Sequence, residues 1–91
     1  MSDIEVQSEA RHDHAIKVTV LVNRQPVVLH KKLPAGSEIK AAAIAQSVDI
    51  KPTFQLILRR VGHPAKVIGD NEEVAVFDGE RFRAIPADDN S

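Results

Sequence analysis

Few side chains in this sequence have types and spacing suited to chemistry. There is no cysteine, so a thiolate nucleophile, a disulfide and a cysteine-bound metal are all excluded. The four histidines stand at 12, 14, 30 and 63, and none has a serine and an acid at a catalytic spacing. Nucleophile-elbow and phosphate-cradling glycine motifs are absent. His12 and His14 lie two residues apart, too few ligands to make a metal site. Asp88 and Asp89 form a carboxylate pair, but a terminal segment without a pocket cannot hold a transition state. The one reactive group left is the C-terminal carboxylate, beyond Pro86, at the end of Ala87-Asp88-Asp89-Asn90-Ser91. No catalytic residue, metal or cofactor is expected, and the chain reads as a partner protein rather than an enzyme.

Charge narrows the class further. The net charge of −1 is unevenly spread. Residues 1–15 carry Asp3, Glu5, Glu9 and Asp13 against Arg11, and the last residues carry Asp88 and Asp89. Residues 16–86 hold 11 basic and 7 acidic residues, a balance of +4. A mildly basic body between acidic ends fits either ordinary solubility or a basic face that meets an acidic partner. The only aromatics are Phe54, Phe77 and Phe82, so a stacking platform for nucleic acid is lacking and no nucleic-acid partner is expected. Uncharged stretches fall far short of the roughly 20 residues that cross a bilayer, and no signal-peptide core follows Met1. With a cysteine-free composition, this points to a cytoplasmic protein with no membrane partner.

The elements that must position these groups follow from periodicity. Residues 1–15 show neither helical nor strand period and are expected to be a disordered tail. Ile16 to Val22 alternates, with β-branched residues at even positions and Lys17 and Thr19 opposite, as in a half-buried strand. Asn23-Arg24-Gln25-Pro26 is turn chemistry, and Val27 to Lys31 is the return strand. Pro34-Ala35-Gly36 breaks the pattern. Ser37 is placed to cap a helix running from Glu38 to about Ser47 or Val48, with Ile39, Ala42 or Ala43, and Gln46 on one face. Phe54 to Arg60 alternates again. Phe54, Leu56 and Leu58 point one way, and Gln55, Ile57 and Arg59 the other. Lys66-Val67-Ile68 is a short strand, Val74 to Phe77 a further short apolar segment, and Asp78-Gly79 a hairpin signal. Arg81 to Ile85 is the last strand, with Phe82 and Ala84 inward, and Pro86 stops it.

The order is strand, strand, helix, strand, short strand, strand. One helix must cover the apolar face of one sheet. The last strand is expected parallel to the first, between it and the third, with a right-handed crossover through the helix. That is a β-grasp, an α+β fold with a mixed sheet of four to five strands over one helix. Residues 16–86 form the domain and 87–91 a flexible tail. A split ferredoxin-like fold needs a second full helix, and residues 61–80 are too rich in glycine, proline and charge to supply one.

An ordered set of segments carries a resemblance. It comprises Val20-Leu21-Val22-Asn23-Arg24-Gln25-Pro26-Val27, Ala35-Gly36-Ser37-Glu38-Ile39, Ile50-Lys51-Pro52, Ile68-Gly69-Asp70-Asn71-Glu72-Glu73-Val74, and the ending from Phe82 to Ser91. Together these resemble the bacterial multiubiquitin-type domain, in a single copy. The resemblance implies a ubiquitin-like modifier of a bacterial conjugation pathway linked to phage defence. It implies as partners an activating enzyme, a conjugating-enzyme-like protein, a processing peptidase and target proteins. Ubiquitin-type tails end in Gly-Gly, whereas the glycines here are 36, 62, 69 and 79. The Asp88-Asp89-Asn90-Ser91 ending is similar to tails trimmed before activation, so Ser91 is expected to leave and Asn90 to supply the reacting carboxylate. By the same resemblance, Ile57 stands where ubiquitin carries the centre of its binding patch. Leu21, Ile57, Arg59, Arg81 and Arg83 are the expected partner-binding residues. The alternative is a β-grasp interaction module that is never conjugated.

Overall fold

The computed structural model describes residues 16–87. The expected tail over 1–15, and the terminal Asp88, Asp89, Asn90 and Ser91, lie outside the described residues. The elements are strands β1 (Val18–Val22) and β2 (Gln25–Leu29), helix α1 (Gly36–Ala45), and strands β3 (Gln55–Arg59), β4 (Lys66–Ile68) and β5 (Arg81–Ile85). The sheet has five strands in the order β2-β1-β5-β3-β4. β5 runs parallel to β1, and the remaining pairs are antiparallel. This is the β-grasp arrangement, with the last strand central as expected.

The first hairpin is tighter than the sequence suggests. Asn23 and Arg24 alone make the turn, with φ of 51° and 70°. Positive φ at both central residues is what a primed two-residue turn requires, and that turn matches the twist of the strands. β2 therefore starts at Gln25 rather than Val27, and Val22 pairs with Gln25.

Alternation places the core. Val20, Val22, Val27, Leu56, Leu58, Phe82 and Ala84 are buried on one side of the sheet, where α1 supplies Ile39 and Ala43. Val48, Ile50, Ile68 and Val76 close the cluster. The alanines keep the helix near the sheet. Its stability rests on that contact, since ten residues are too few for a stable isolated helix in water.

The helix is capped by a distant loop rather than by Ser37. The N-cap is Ala35, whose N–H donates to Glu38 Oε1 at 2.8 Å. The next two N–H groups, of Gly36 and Ser37, donate to the carbonyls of Glu72 and Asp70 at 3.0 and 3.1 Å. Backbone from the loop after β4 thus satisfies donors that a side chain ordinarily would. At the other end the helix stops at Ala45, earlier than expected. Ser47 takes φ 75°, its N–H donates to Ile44 O, and Val48 N–H donates to Ala43 O. This is a Schellman closure with serine in the usual glycine position, and it turns Val48 into the core.

Lys40 ties these parts together. Its side chain is only 6% exposed, and Nζ donates to Pro52 O (2.7 Å) and Phe54 O (2.8 Å) and pairs with Asp70 Oδ1 (2.7 Å). Three oxygens around one buried ammonium are the condition under which a buried cation is tolerated. Glu80 is the second buried charge, and it accepts both Nε and Nη2 of Arg60 at 2.7 and 3.1 Å. Arg60 also lies 5.8 Å above the Phe77 ring. At the free edge of the sheet, the Gln46 amide meets Val28 twice, accepting from its N–H at 2.9 Å and donating to its carbonyl at 2.8 Å.

Asp78-Gly79 makes a turn, with Gly79 at φ 86°, but not a hairpin. β5 already has β1 on one edge and β3 on the other, so no edge is left for residues 74–77. That segment instead donates from Val74 and Val76 to Pro34 and Lys32 carbonyls.

A Cβ added at Gly36 would lie 2.3 Å from the Gly69 carbonyl oxygen, a backbone atom. Gly36→Ala should therefore destabilise by about 1–3 kcal/mol in urea unfolding, although alanine is the better helix former. An unchanged or raised midpoint would contradict the close approach. Separately, Glu38 is held below its ordinary 4.5 by Lys31 and then the Ala35 N–H, and Glu72 by Lys66 and then the Gly69 N–H. Both carboxylates titrate lower when folded, so their contribution is full above their ordinary value and is lost as pH falls through the lowered ones. The melting temperature should drop on acidification below about pH 4.5, and Glu38→Gln with Glu72→Gln should flatten that drop.

Candidate partner-binding face and C-terminal exit

The sheet side away from α1 is covered by no other element among the described residues. The strand register decides what it presents. Leu56, Leu58, Phe82 and Ala84 are buried toward the helix, so their neighbours Gln55, Ile57, Arg59, Arg81, Arg83 and Ile85 emerge on the other side. Ile57 stands opposite Arg83, Arg59 opposite Arg81, and Leu21 beside Arg81 across the parallel pair. All five residues expected from the sequence therefore share one face as direct cross-strand neighbours. Leu21 and Ile57 are half-buried, and the three arginines are exposed.

Part of this surface is an open depression lined by Leu21, Arg59, Arg81, Arg83 and Ile85, and Ile57 lies outside it. Arg24, assigned by sequence only to the turn, also lines it. The signal for Arg24 was present but hard to use. The sequence suggests a turn of four residues, whereas the turn of two sets Arg24 among the residues that line the depression. Arg60 reaches the same depression but is already committed to Glu80. Arg24, Arg59, Arg81 and Arg83 have no ion-pair partner among the described residues. Exposed arginines in this fork geometry can take carboxylate or phosphate oxygens two at a time.

The exit of the chain is built with equal definition. Beyond Val22, β1 turns away and can no longer pair with β5. The Asn23 side chain takes over, donating from Nδ2 to Ala84 O at 3.1 Å and accepting from Ala84 N at 2.9 Å through Oδ1. Its own N–H donates to Phe82 O at 3.0 Å. An asparagine amide thus extends the ladder by one step and fixes β5 up to Ile85. Pro86 and Ala87 follow in exposed, non-strand conformation. Sequence reasoning saw Asn23 as a turn former and missed this clip. An asparagine at a turn has many possible partners, and Ala84 is 61 positions away.

Among the described residues, no three His, Asp or Glu side chains gather where one ion would touch them. His30 Nδ1 lies 3.0 Å from Ile16 O, a contact between neighbouring strand ends. No helix of the described residues is long and apolar enough to cross a membrane.

Searches among curated proteins and among solved structures return no match. The family model described as multiubiquitin matches residues 18–86, which spans every strand and the helix. The match covers well over half the chain and falls on a five-stranded mixed sheet grasping a single helix, so this chain belongs to the multiubiquitin family of ubiquitin-like domains.

Proposed function

We propose that the chain is a ubiquitin-like modifier of a bacterial, cytoplasmic conjugation pathway linked to phage defence. It is activated through its processed C-terminus and attached to target proteins. Domains of this kind are in general not enzymes, and the reading assigns the catalysis to partners. These are an activating enzyme, a conjugating-enzyme-like protein and a processing peptidase. The observation that carries the proposal is the exit itself. β5 is held on one edge by β3 along its whole length and on the other by β1 and Asn23, and it stops at Pro86. A rigid base then leads directly into the terminal segment, beside a face whose arginines have no ion-pair partner among the described residues.

The chemistry proposed for that segment is simple. The peptidase removes Ser91 by hydrolysis of the Asn90–Ser91 peptide bond. The new Asn90 carboxylate attacks the α-phosphate of ATP, and pyrophosphate leaves. A partner or target nucleophile then displaces AMP from the acyl adenylate. Asp88 and Asp89 precede the reacting residue and are read by the enzymes that handle the tail. Leu21, Ile57, Arg59, Arg81 and Arg83 dock the body while this happens. The half-buried aliphatics supply contact area, and the arginines supply orientation.

A second reading retains the fold and drops the chemistry: an interaction module that docks through the same face and is never conjugated. The arginine face favours it as much as the first, so the tail decides. Removing residues 88–91 should abolish adenylate formation with the activating enzyme and ATP while leaving partner docking unchanged. Docking retained with no adenylate from the untruncated, peptidase-treated chain would select the module. Intact mass after peptidase treatment should fall by one serine residue, and an unaltered mass refutes the trimming step.

Docking has its own test. Ile57→Ala and Arg81→Glu should each weaken transfer by about tenfold, the scale of roughly 1.4 kcal/mol expected at the centre of an interface. Thermal stability should hold, since Ile57 is only half-buried and Arg81→Glu replaces a like-charge neighbour of Arg59 by an opposite one. Transfer at the unaltered rate would remove this face from the activation step.

A further inference from the structure

β4 has β3 on one side and no strand on the other. The phase of the hydrogen bonds decides what it presents on that outer side. Asn23 takes Phe82 O through its N–H and both main-chain groups of Ala84 through its amide, so Phe82 and Ala84 point from β5 toward β1 and Asn23. These directions alternate along a strand, so Arg81, Arg83 and Ile85 point toward β3. Their register partners Arg59, Ile57 and Gln55 point back at β5, and Leu56 and Leu58 point at β4. Leu56 and Leu58 stand opposite Ile68 and Lys66, which leaves the N–H and C=O of Val67 turned outward. Val67 is 49% exposed, and nothing among the described residues bonds its main chain from that side. Gly69, the next residue in phase, is closed. Its N–H donates to Glu72 Oε1 at 3.2 Å, and its carbonyl accepts from Glu72 N–H at 3.1 Å. Ala65, in phase on the other side, is exposed and has no such cap among the described residues.

The side chains beside this opening set its chemistry. Val67 is paired with Ile57, so the two aliphatic groups share the open face of the sheet. One residue beyond the paired stretch, Ala65 comes level with Arg59, which stands opposite Arg81. Arg59 is exposed and has no ion-pair partner among the described residues. A strand added outside β4 would lie about 10 Å from β3, two strand spacings away. Ala65 is small, so a carboxylate on that added strand can pass over it to Arg59.

A second copy of this chain fits the opening poorly. Antiparallel pairing of Val67 with its own copy sets Ala65 against Gly69, whose outward groups Glu72 already holds. Shifting the register so that Ala65 meets Val67 sets Lys66 directly against Lys66, and like charges placed opposite each other repel. A foreign extended segment meets neither obstacle.

We propose that the β4 margin takes an extended segment of a partner protein as an antiparallel sixth strand, with an aliphatic residue opposite Val67 and an acidic residue two positions later, opposite Ala65. Val67 and Ala65 each exchange a pair of main-chain hydrogen bonds with the segment. The aliphatic side chain packs on Val67 and Ile57, and the acid pairs with Arg59. Main-chain bonding supplies attachment, and the order of the two side chains supplies selectivity. Neither the terminal segment nor the activating enzyme takes part, so failure here leaves the conjugation reading standing, and the converse holds.

The test uses the full chain and a capped peptide, Thr-Thr-Ile-Thr-Glu-Thr-Thr, titrated while the backbone amide resonances are followed. The amides of Val67 and Ala65 should shift, and the Val67 N–H should exchange more slowly with solvent. A peptide with glutamine replacing the glutamate should bind about threefold more weakly, the scale of one exposed ion pair. The reversed order, Thr-Thr-Glu-Thr-Ile-Thr-Thr, should bind more weakly than the parent. In the full-length variant Arg59→Gln, an exposed change that leaves the core intact, the glutamate and glutamine peptides should bind equally. No binding at millimolar peptide overturns the proposal, as do shifts confined to the arginine depression with Val67 unmoved. Equal binding of the glutamate and glutamine peptides to the unaltered chain overturns it too. So does a Val67 shift that follows protein concentration without peptide, which would place a second copy on this margin.

Discussion

The seam between β1 and β5 is the constraint on which the rest of this structure rests. It joins the two ends of the domain in parallel, so the helix and β3 both lie within the crossover that it closes. The seam is short, with Leu21 and Val22 paired to Arg81 and Phe82. It is lengthened at both ends by side chains. Asp78 Oδ1 accepts from Thr19 N–H before β5 begins, and the Asn23 amide continues past the last residue of β1. Gly79 N–H and Glu80 O fill the steps between, bonded to Thr19 O and Leu21 N–H. Without the seam, Phe82 and Ala84 lose their place in the core and the terminal segment loses its base.

A second theme is the economy of buried charge. Lys40 and Glu80 are each surrounded by the groups that make burial tolerable, and each joins segments distant in sequence. Lys40 locks the helix to the approach of β3 and the loop after β4. Glu80 locks the start of β5 to Arg60 at the end of β3. With these acids drawn into structural pairs, the open side of the sheet presents Arg24, Arg59, Arg81 and Arg83 with no ion-pair partner among the described residues. The same choice of partners that steadies the core therefore leaves the arginines of the open face without one among the described residues.

Much of this was legible in the residues. Period-two alternation gave β1, β3 and β5 with the correct inward sides, and it placed Ile57, Arg59, Arg81 and Arg83 on one face. The short strand at Lys66–Ile68 and the stop before Pro86 were also readable. What failed was local chemistry satisfied from afar. Ser37 looked like a cap, but backbone carbonyls of residues 70 and 72 reach the helix first. Asp78-Gly79 looked like a hairpin, but the flanking segment has no free strand edge to meet. Lys40 and Asn23 carry no signal of their roles, because their partners are chosen by the three-dimensional fold. The residues read as the reacting tail stand beyond the described part of the chain.

The glutamine at the end of the helix has a wider consequence. β2 is an outermost strand, and such margins readily recruit the margin of another molecule. Here Val28 offers nothing to a newcomer, since an amide already mimics a neighbouring strand, and Pro26 has no hydrogen to give. Two copies meeting along this side would accordingly find no bare strand at Val28 to pair with. A single side chain thus covers one margin of the sheet that would otherwise lie bare.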